Sequence, residues 1–162
     1  ETDGEITLAP LRTGPWAHCW RGGIAYWGLG VDALWRRGRI PTGDLGTIDS
    51  EGFLHVSGRI SDMINRGGAT ISPTEVEGVL LGIDGIDDAA VFGLEDDRLG
   101  QRVAAAIVGR LEPDAAREAA RQSLSGYKVP ESWLVLDEIP RNAGGKVDRP
   151  ALQALEDRSQ GP

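Results

Sequence analysis

Cysteine is nearly missing from this chain. Its 162 residues hold one cysteine, two histidines and one methionine. With Cys19 alone, no internal disulfide framework can form, and the composition fits a reducing cytoplasm. Cys19 reads as a small buried hydrophobe rather than a nucleophile, because its neighbour His18 is one of only two histidines able to serve as a base. Long apolar runs are also absent, and no stretch approaches the ~20 residues of a membrane span. The opening "ETDGEITLAP" has neither a basic start nor an apolar segment, which reads as no secretory signal. Basic residues are scarce too: 17 Lys and Arg stand against 25 Asp and Glu, for a net charge of −8. A nonspecific nucleic-acid binder needs a basic face, so that class is disfavoured, whereas a local site for an anionic ligand is not.

What is present is enough apolar material for a core, 40% of residues, and a change of texture near residue 40. The first forty residues hold Trp16, Trp20, Trp27 and Trp35 with many glycines and little helical periodicity. They read as strands and turns belonging to something larger. Beyond them, "GFLHVSGRI" alternates as a strand does, and "DMINRGGATIS" reads as a hairpin turning at Gly67-Gly68. Ser72, Pro73 and Glu75 spell a capping box, with apolar Val76, Val79, Leu80 and Ile83 behind it at helical spacing. "DDAAVFGLE" and "RVAAAIVGR" are β-rich runs, "PDAAREAARQSL" a helix capped by Asp114, and "SWLVLDEIP" a further strand. Asp148 caps a last short helix running to Leu155. The expected fold is a small α+β domain, a short β-hairpin plus a three-stranded sheet with packed helices, preceded by a β-rich remnant. The expected division is 1–58 and 59–162.

Four stretches carry chemistry: "TGDLG" at 42–46, "SGRISD" at 57–62, "INRGGATISPTEVE" at 64–77 and "RNAGGKVDR" at 141–149. Asp44 reads as a turn residue bonding nearby amides, or as an acceptor for vicinal hydroxyls such as a ribose presents. The fork of Arg59 suits a surface ion pair, or ribose and phosphate oxygens. Gly67-Gly68 is a hairpin turn that also lets a thin ligand pass close to the backbone. Lys146, following two glycines, reads as a solvated lysine or as a point charge that a mobile loop delivers to a reacting phosphoryl or carboxylate oxygen.

In this order the four motifs resemble the adenylate-forming superfamily: acyl- and aryl-CoA synthetases, adenylation domains of nonribosomal peptide synthesis, and luciferase. "TGDLG…DSEGFLHVSGRISDMINRGG…ISPTEVE" looks like the junction between that family's large N-terminal domain and its small C-terminal lid. "IPRNAGGKVDRPAL" is similar to its closing lysine motif. The resemblance covers roughly residues 40–155. It implies that Asp44 holds the ribose hydroxyls of ATP or AMP and that Arg59 assists there. Thr70 stands where relatives often carry a longer polar side chain touching the nucleotide. Lys146 would bridge substrate carboxylate and α-phosphate. Gly67 and Gly68 would line the path of the pantetheine arm of coenzyme A. Ser61 falls where the family usually has Asp or Lys as the pivot of lid rotation.

The implied function is half of a two-step reaction. A carboxylic acid and ATP, with Mg2+, give acyl-AMP; CoA then takes the acyl group as a thioester. The family's Ser/Thr/Gly-rich phosphate loop is not in this sequence, nor is a P-loop, a dinucleotide fingerprint or a metal-ligand set. The chain therefore reads as the C-terminal portion of a longer enzyme, or as one half of a split one, whose partner is the remainder of the large domain and which is inactive alone. Two alternatives stay open: an aryl- or aminoacyl-adenylating enzyme that loads a carrier protein, and a noncatalytic lid-like module.

Overall fold

A computed structural model of the chain describes residues 4–8 and 39–159. Cys19, His18 and the four tryptophans of the early segment lie outside the described residues. The chain divides into two compact units, Glu1–Ser61 and Asp62–Pro162.

The first unit contains an antiparallel sheet in the order β1 (Gly4–Leu8), β2 (Ile40–Ile48), β3 (Leu54–Arg59). The turn between β2 and β3 is built by Asp49. Its Oδ1 accepts from the backbone amides of Glu51 and Phe53, both at 2.9 Å, and its Oδ2 meets His55 Nε2 at 2.6 Å. The His55 bond, then the amides, hold the Asp49 carboxyl below its ordinary value. The end of β2, the turn and the start of β3 leave large apolar groups in the open: Ile48, Phe53, Leu54 and Val56 are each at least half exposed.

The second unit is a five-stranded sheet with helices on both faces. A short 3-10 turn, Ile60–Asp62, leads into the hairpin β4 (Ile64–Arg66) and β5 (Ala69–Ile71). Helix α1 (Pro73–Leu81) follows, then the long antiparallel pair β6 (Ile86–Asp96) and β7 (Gly100–Gly109). Next come α2 (Pro113–Ser123), β8 (Ser132–Val135) and α3 (Arg149–Ser159). β6 pairs along the whole of β7, so the other edge of β7 is shared. β4 takes it at Gly100, and β8 lies parallel to Ala104–Ile107. The hairpin expected to stand beside a three-stranded sheet is therefore joined to it.

The apolar runs in β6 and β7 are continuous because both of their faces are covered. Ala89, Val91, Val103, Ala105 and Ile107 point to a core shared with Val76 and Leu80 of α1 and with Ala116 and Ala120 of α2. The intervening Ala90, Phe92, Leu94, Ala104 and Ala106 point the other way, onto Ile139 and Leu152 of the α3 side.

The ends of the helices differ from the expectation. Ser72 makes no side-chain capping bond; Glu75 instead accepts from Lys128 Nζ at 2.5 Å. Pro73 at the first position already removes one amide that a cap would serve. Asp114 is not the cap of α2, because Pro113 starts that helix and Glu112 is the capping position; the Asp114 carboxylate pairs with Arg117 at 3.0 Å. Asp148 does cap α3, accepting from the Ala151 amide at 3.1 Å. That helix runs on to Ser159, since Leu152 and Glu156 bury the same stripe one turn apart.

Candidate functional site

In the first unit, Asp44 and Arg59 are directly opposite one another on β2 and β3. Arg59 Nε donates to Asp44 Oδ1 at 3.0 Å, and the Asp44 amide bonds Thr42 Oγ1 at 3.1 Å. The two residues proposed for a ribose are thus brought together by cross-strand pairing, with the Arg59 side chain 55% and the Asp44 side chain 30% exposed. Ser61 sits in the 3-10 turn that follows and is the last residue of the first unit.

In the second unit, Gly67 and Gly68 take φ of 56° and 86°. Positive φ at both central residues gives the primed turn whose twist matches a two-residue hairpin, and glycine reaches it without strain. The Gly67 amide donates to Leu99 O at 2.8 Å, which ties the hairpin tip to the β6–β7 turn. Nothing lies within 4 Å of the place a Gly68 side chain would occupy. One face of the tip is therefore open backbone. Thr70 pairs with Asn65 across this hairpin and is exposed.

Lys146 is exposed, but its loop is not the slack tether that two glycines suggest. Asn142 organises it. Its Oδ1 accepts from the Gly144 amide at 2.9 Å and from the Lys146 amide at 3.1 Å. Its own amide donates to Lys146 O at 2.8 Å, and its carbonyl accepts from Gly145 at 2.8 Å. Below the turn, Arg141 and Val147 form an antiparallel bridge, and Arg141 Nη2 donates to Asp88 Oδ2 at 2.8 Å.

Behind the lysine, Arg149 is the centre of a polar cluster that sequence reading missed. It donates Nη1 to Asp62 at 3.2 Å, Nη2 to Glu77 at 3.3 Å and Nε to Val91 O at 3.2 Å. All three partners come from different elements. The signal was present, since Asp62, Glu77 and Arg149 each lie inside a quoted motif, but their convergence is a property of the sheet. Among the described residues, no group of three or more His, Cys, Asp or Glu gathers as a metal site. Nor, among them, is any helix long and apolar enough to cross a membrane.

Residues 75–146, which run from α1 to this lysine, match the model of the AMP-binding enzyme C-terminal domain. The chain carries a C-terminal domain of the adenylate-forming superfamily. Over 153 residues, or 93% of the chain, it is 36% identical to a 2-succinylbenzoate–CoA ligase of Listeria monocytogenes, covering 31% of that protein. An oxalate–CoA ligase of Saccharomyces cerevisiae is 41% identical over 118 residues, 70% of this chain and 22% of the relative. Among solved structures, the o-succinylbenzoate CoA synthetase of Bacillus subtilis with its acyl-adenylate intermediate superposes with a TM-score of 0.69. The identity there is 40%, over 75% of this chain and 26% of that one. The chain spans about a quarter of the length of the curated relatives it matches. The AMP-binding enzyme C-terminal domain thus accounts for the fold of the second unit from the first turn of α1 to the lysine.

Proposed function

We propose that this chain is the C-terminal portion of an ATP-dependent carboxylate–CoA ligase, with residues 1–58 ending a large N-terminal domain and 59–162 forming its lid. The observation that carries this reading is an exposed lysine on an ordered turn, in a domain whose relatives are CoA ligases. The exposed apolar edge of Ile48, Phe53, Leu54 and Val56 supports further polypeptide over the first unit.

In the first step a carboxylate oxygen of the acid attacks the α-phosphorus of ATP and pyrophosphate leaves. Asp44 accepts from the ribose hydroxyls, and Arg59 and Thr70 steady the nucleotide. Lys146 places its ammonium between carboxylate and α-phosphate, where negative charge concentrates. Mg2+ carried by the nucleotide would offset phosphate charge, since no cluster of His, Cys, Asp or Glu among the described residues gathers to hold it. In the second step the CoA sulfur attacks the acyl carbon and AMP leaves with the electron pair of the broken acyl–oxygen bond. Rotation about Ser61 withdraws Lys146 and brings the bare backbone of Gly67-Gly68 to the thiol path, a gating motion between half-reactions. The full-length enzyme would work in the cytoplasm, and the isolated chain would form no acyl-adenylate.

The test is Lys146→Ala in the full-length enzyme. Acyl-adenylate formation should fall on the order of 10²–10³, while thioester formation from supplied acyl-adenylate is spared. Equal loss of both steps would refute the assignment.

A further inference from the structure

The peptide unit of Lys146 is held from both sides by one residue. Asn142 accepts from the Lys146 amide through its side chain and donates to the Lys146 carbonyl through its backbone, at 3.1 and 2.8 Å. The same carboxamide oxygen takes the Gly144 amide at 2.9 Å. Ala143, Gly144 and Gly145 are exposed and bury nothing that would order them. Without the carboxamide, a segment holding two glycines has many backbone states of similar energy. Below the turn the structure is fixed independently, by the Arg141–Asp88 pair, by the Asp148 amide on Pro140 O at 2.9 Å, and by the cap of α3. Arg141 Nη1 adds one long bond to Gly145 O at 3.5 Å, but the amides of Gly144 and Lys146 both end on the Asn142 carboxamide, which is the main element that turns a fixed base into a fixed direction for the lysine.

We propose that Asn142 is a positioning residue for Lys146, setting the backbone from which the ammonium is presented to the reacting oxygens. It touches neither substrate. This inference rests on the adenylation role given to Lys146 above. A catalytic charge is effective only in one geometry, and ordering it before the reaction lowers the entropy cost of reaching the transition state. The amides that Asn142 serves are exposed, so its loss lets water take them and leaves the fold standing. The acceptor is an oxygen on a short side chain, a role that Asp fills equally well in such turns.

The experiment uses three variants of the full-length enzyme, with the two half-reactions assayed separately. Asn142→Ala should lower the rate of acyl-adenylate formation on the order of tenfold. It should leave thioester formation from supplied acyl-adenylate and the melting temperature unchanged. Asn142→Asp, which keeps the acceptor, should restore adenylation to within about threefold of the parent. Lys146→Ala is the reference. If it impairs adenylation selectively and Asn142→Ala does not, positioning by Asn142 is overturned and the functional reading stands. If Lys146→Ala spares adenylation, the functional reading falls and takes the catalytic part of this proposal with it. Amide exchange followed by NMR in the 162-residue chain reads the geometry without activity. Asn142→Ala should speed exchange at Gly144 and Lys146 while Leu152 in α3 stays protected. Unchanged exchange at Lys146 would refute the positioning role.

Discussion

Arg149 and Asp62 meet at 3.2 Å, joining the first residue of the second unit to the first residue of α3, three positions after Lys146. The same guanidinium reaches Glu77, whose Oε1 also accepts from the Val91 amide at 2.9 Å. The Arg149 and Glu77 side chains are only 25% and 17% exposed, so water replaces these bonds poorly. The start of the domain, α1, β6 and the lysine-bearing segment are therefore one body.

Removing that guanidinium should loosen the whole second unit. Arg149→Met keeps the stem but leaves Glu77 with one amide partner and Asp62 without this cation. A loss of about 2 kcal/mol is expected, in the range of hydrogen bonds to charged groups. Urea unfolding measures it. A double-mutant cycle with Glu77→Gln should show coupling, because both substitutions break the same contact; strict additivity would mean that the cluster contributes no mutual stabilisation.

Gly109 is the least replaceable position of β7. A Cβ there would stand 2.1 Å from Gly85 O, the acceptor of the Arg110 amide, and the residue has a φ of 145°. Neither backbone can yield without opening the end of the β6–β7 pair. Gly109→Ala should destabilise the fold by about 3 kcal/mol, at the upper end of overpacking costs. Gly68→Ala meets no atoms and bears only the strain of its positive φ, so it should cost about 1 kcal/mol. Parallel thermal melts would rank the two.

Asp44 and Arg59 already satisfy each other, which bears on nucleotide affinity. Asp44→Asn in the full-length enzyme keeps the size of the side chain but removes the charge that orients Arg59 and that, on the proposed reading, would hold a ribose. Loss of one charged acceptor should raise KM for ATP on the order of tenfold. KM for the acid should not change. Parent and variant should differ less in KM for a 2′-deoxy nucleotide than for ATP, because one of the hydroxyls the carboxylate would hold is missing.

These residues also mark where sequence was sufficient. Alternation and the Gly-Gly pair located β3 and the β4–β5 hairpin, and apolar spacing located α1, because those signals are local. The two apolar runs of β6 and β7 were visible as strands, but their coverage on both faces depends on where α1, α2 and α3 land. The parallel pairing of β8 with β7 has no local signature at all. Ser72 and Glu75 spelled a capping box, yet Lys128, 53 positions away, took the carboxylate. Lys146 is legible in sequence as the charge of interest, but the order of its turn is not: two glycines signal freedom, and Asn142, two places before Gly144, orders the turn only through the amides it meets.

Glu75 makes the last point testable through pH. Lys128 Nζ donates to it at 2.5 Å, linking the 3-10 turn Gly126–Lys128 to the first turn of α1. The Glu75 hydrogen bond, opposed by burial and aided by the Glu75 charge, raises the Lys128 ammonium above its ordinary 10.5. A raised cationic pKa means that the folded state holds the proton more tightly than the unfolded chain. The stabilisation is then complete below pH 10.5 and is lost as pH rises through the higher folded value. Lys128→Met should lower the urea midpoint at pH 8 by a modest amount, since Glu75 is half exposed. Parent and variant should then converge as pH rises beyond 10.5 and through the higher folded value. If the gap between their midpoints stays constant from pH 8 to 12, the methylene packing of Lys128 and not its charge is what stabilises α1.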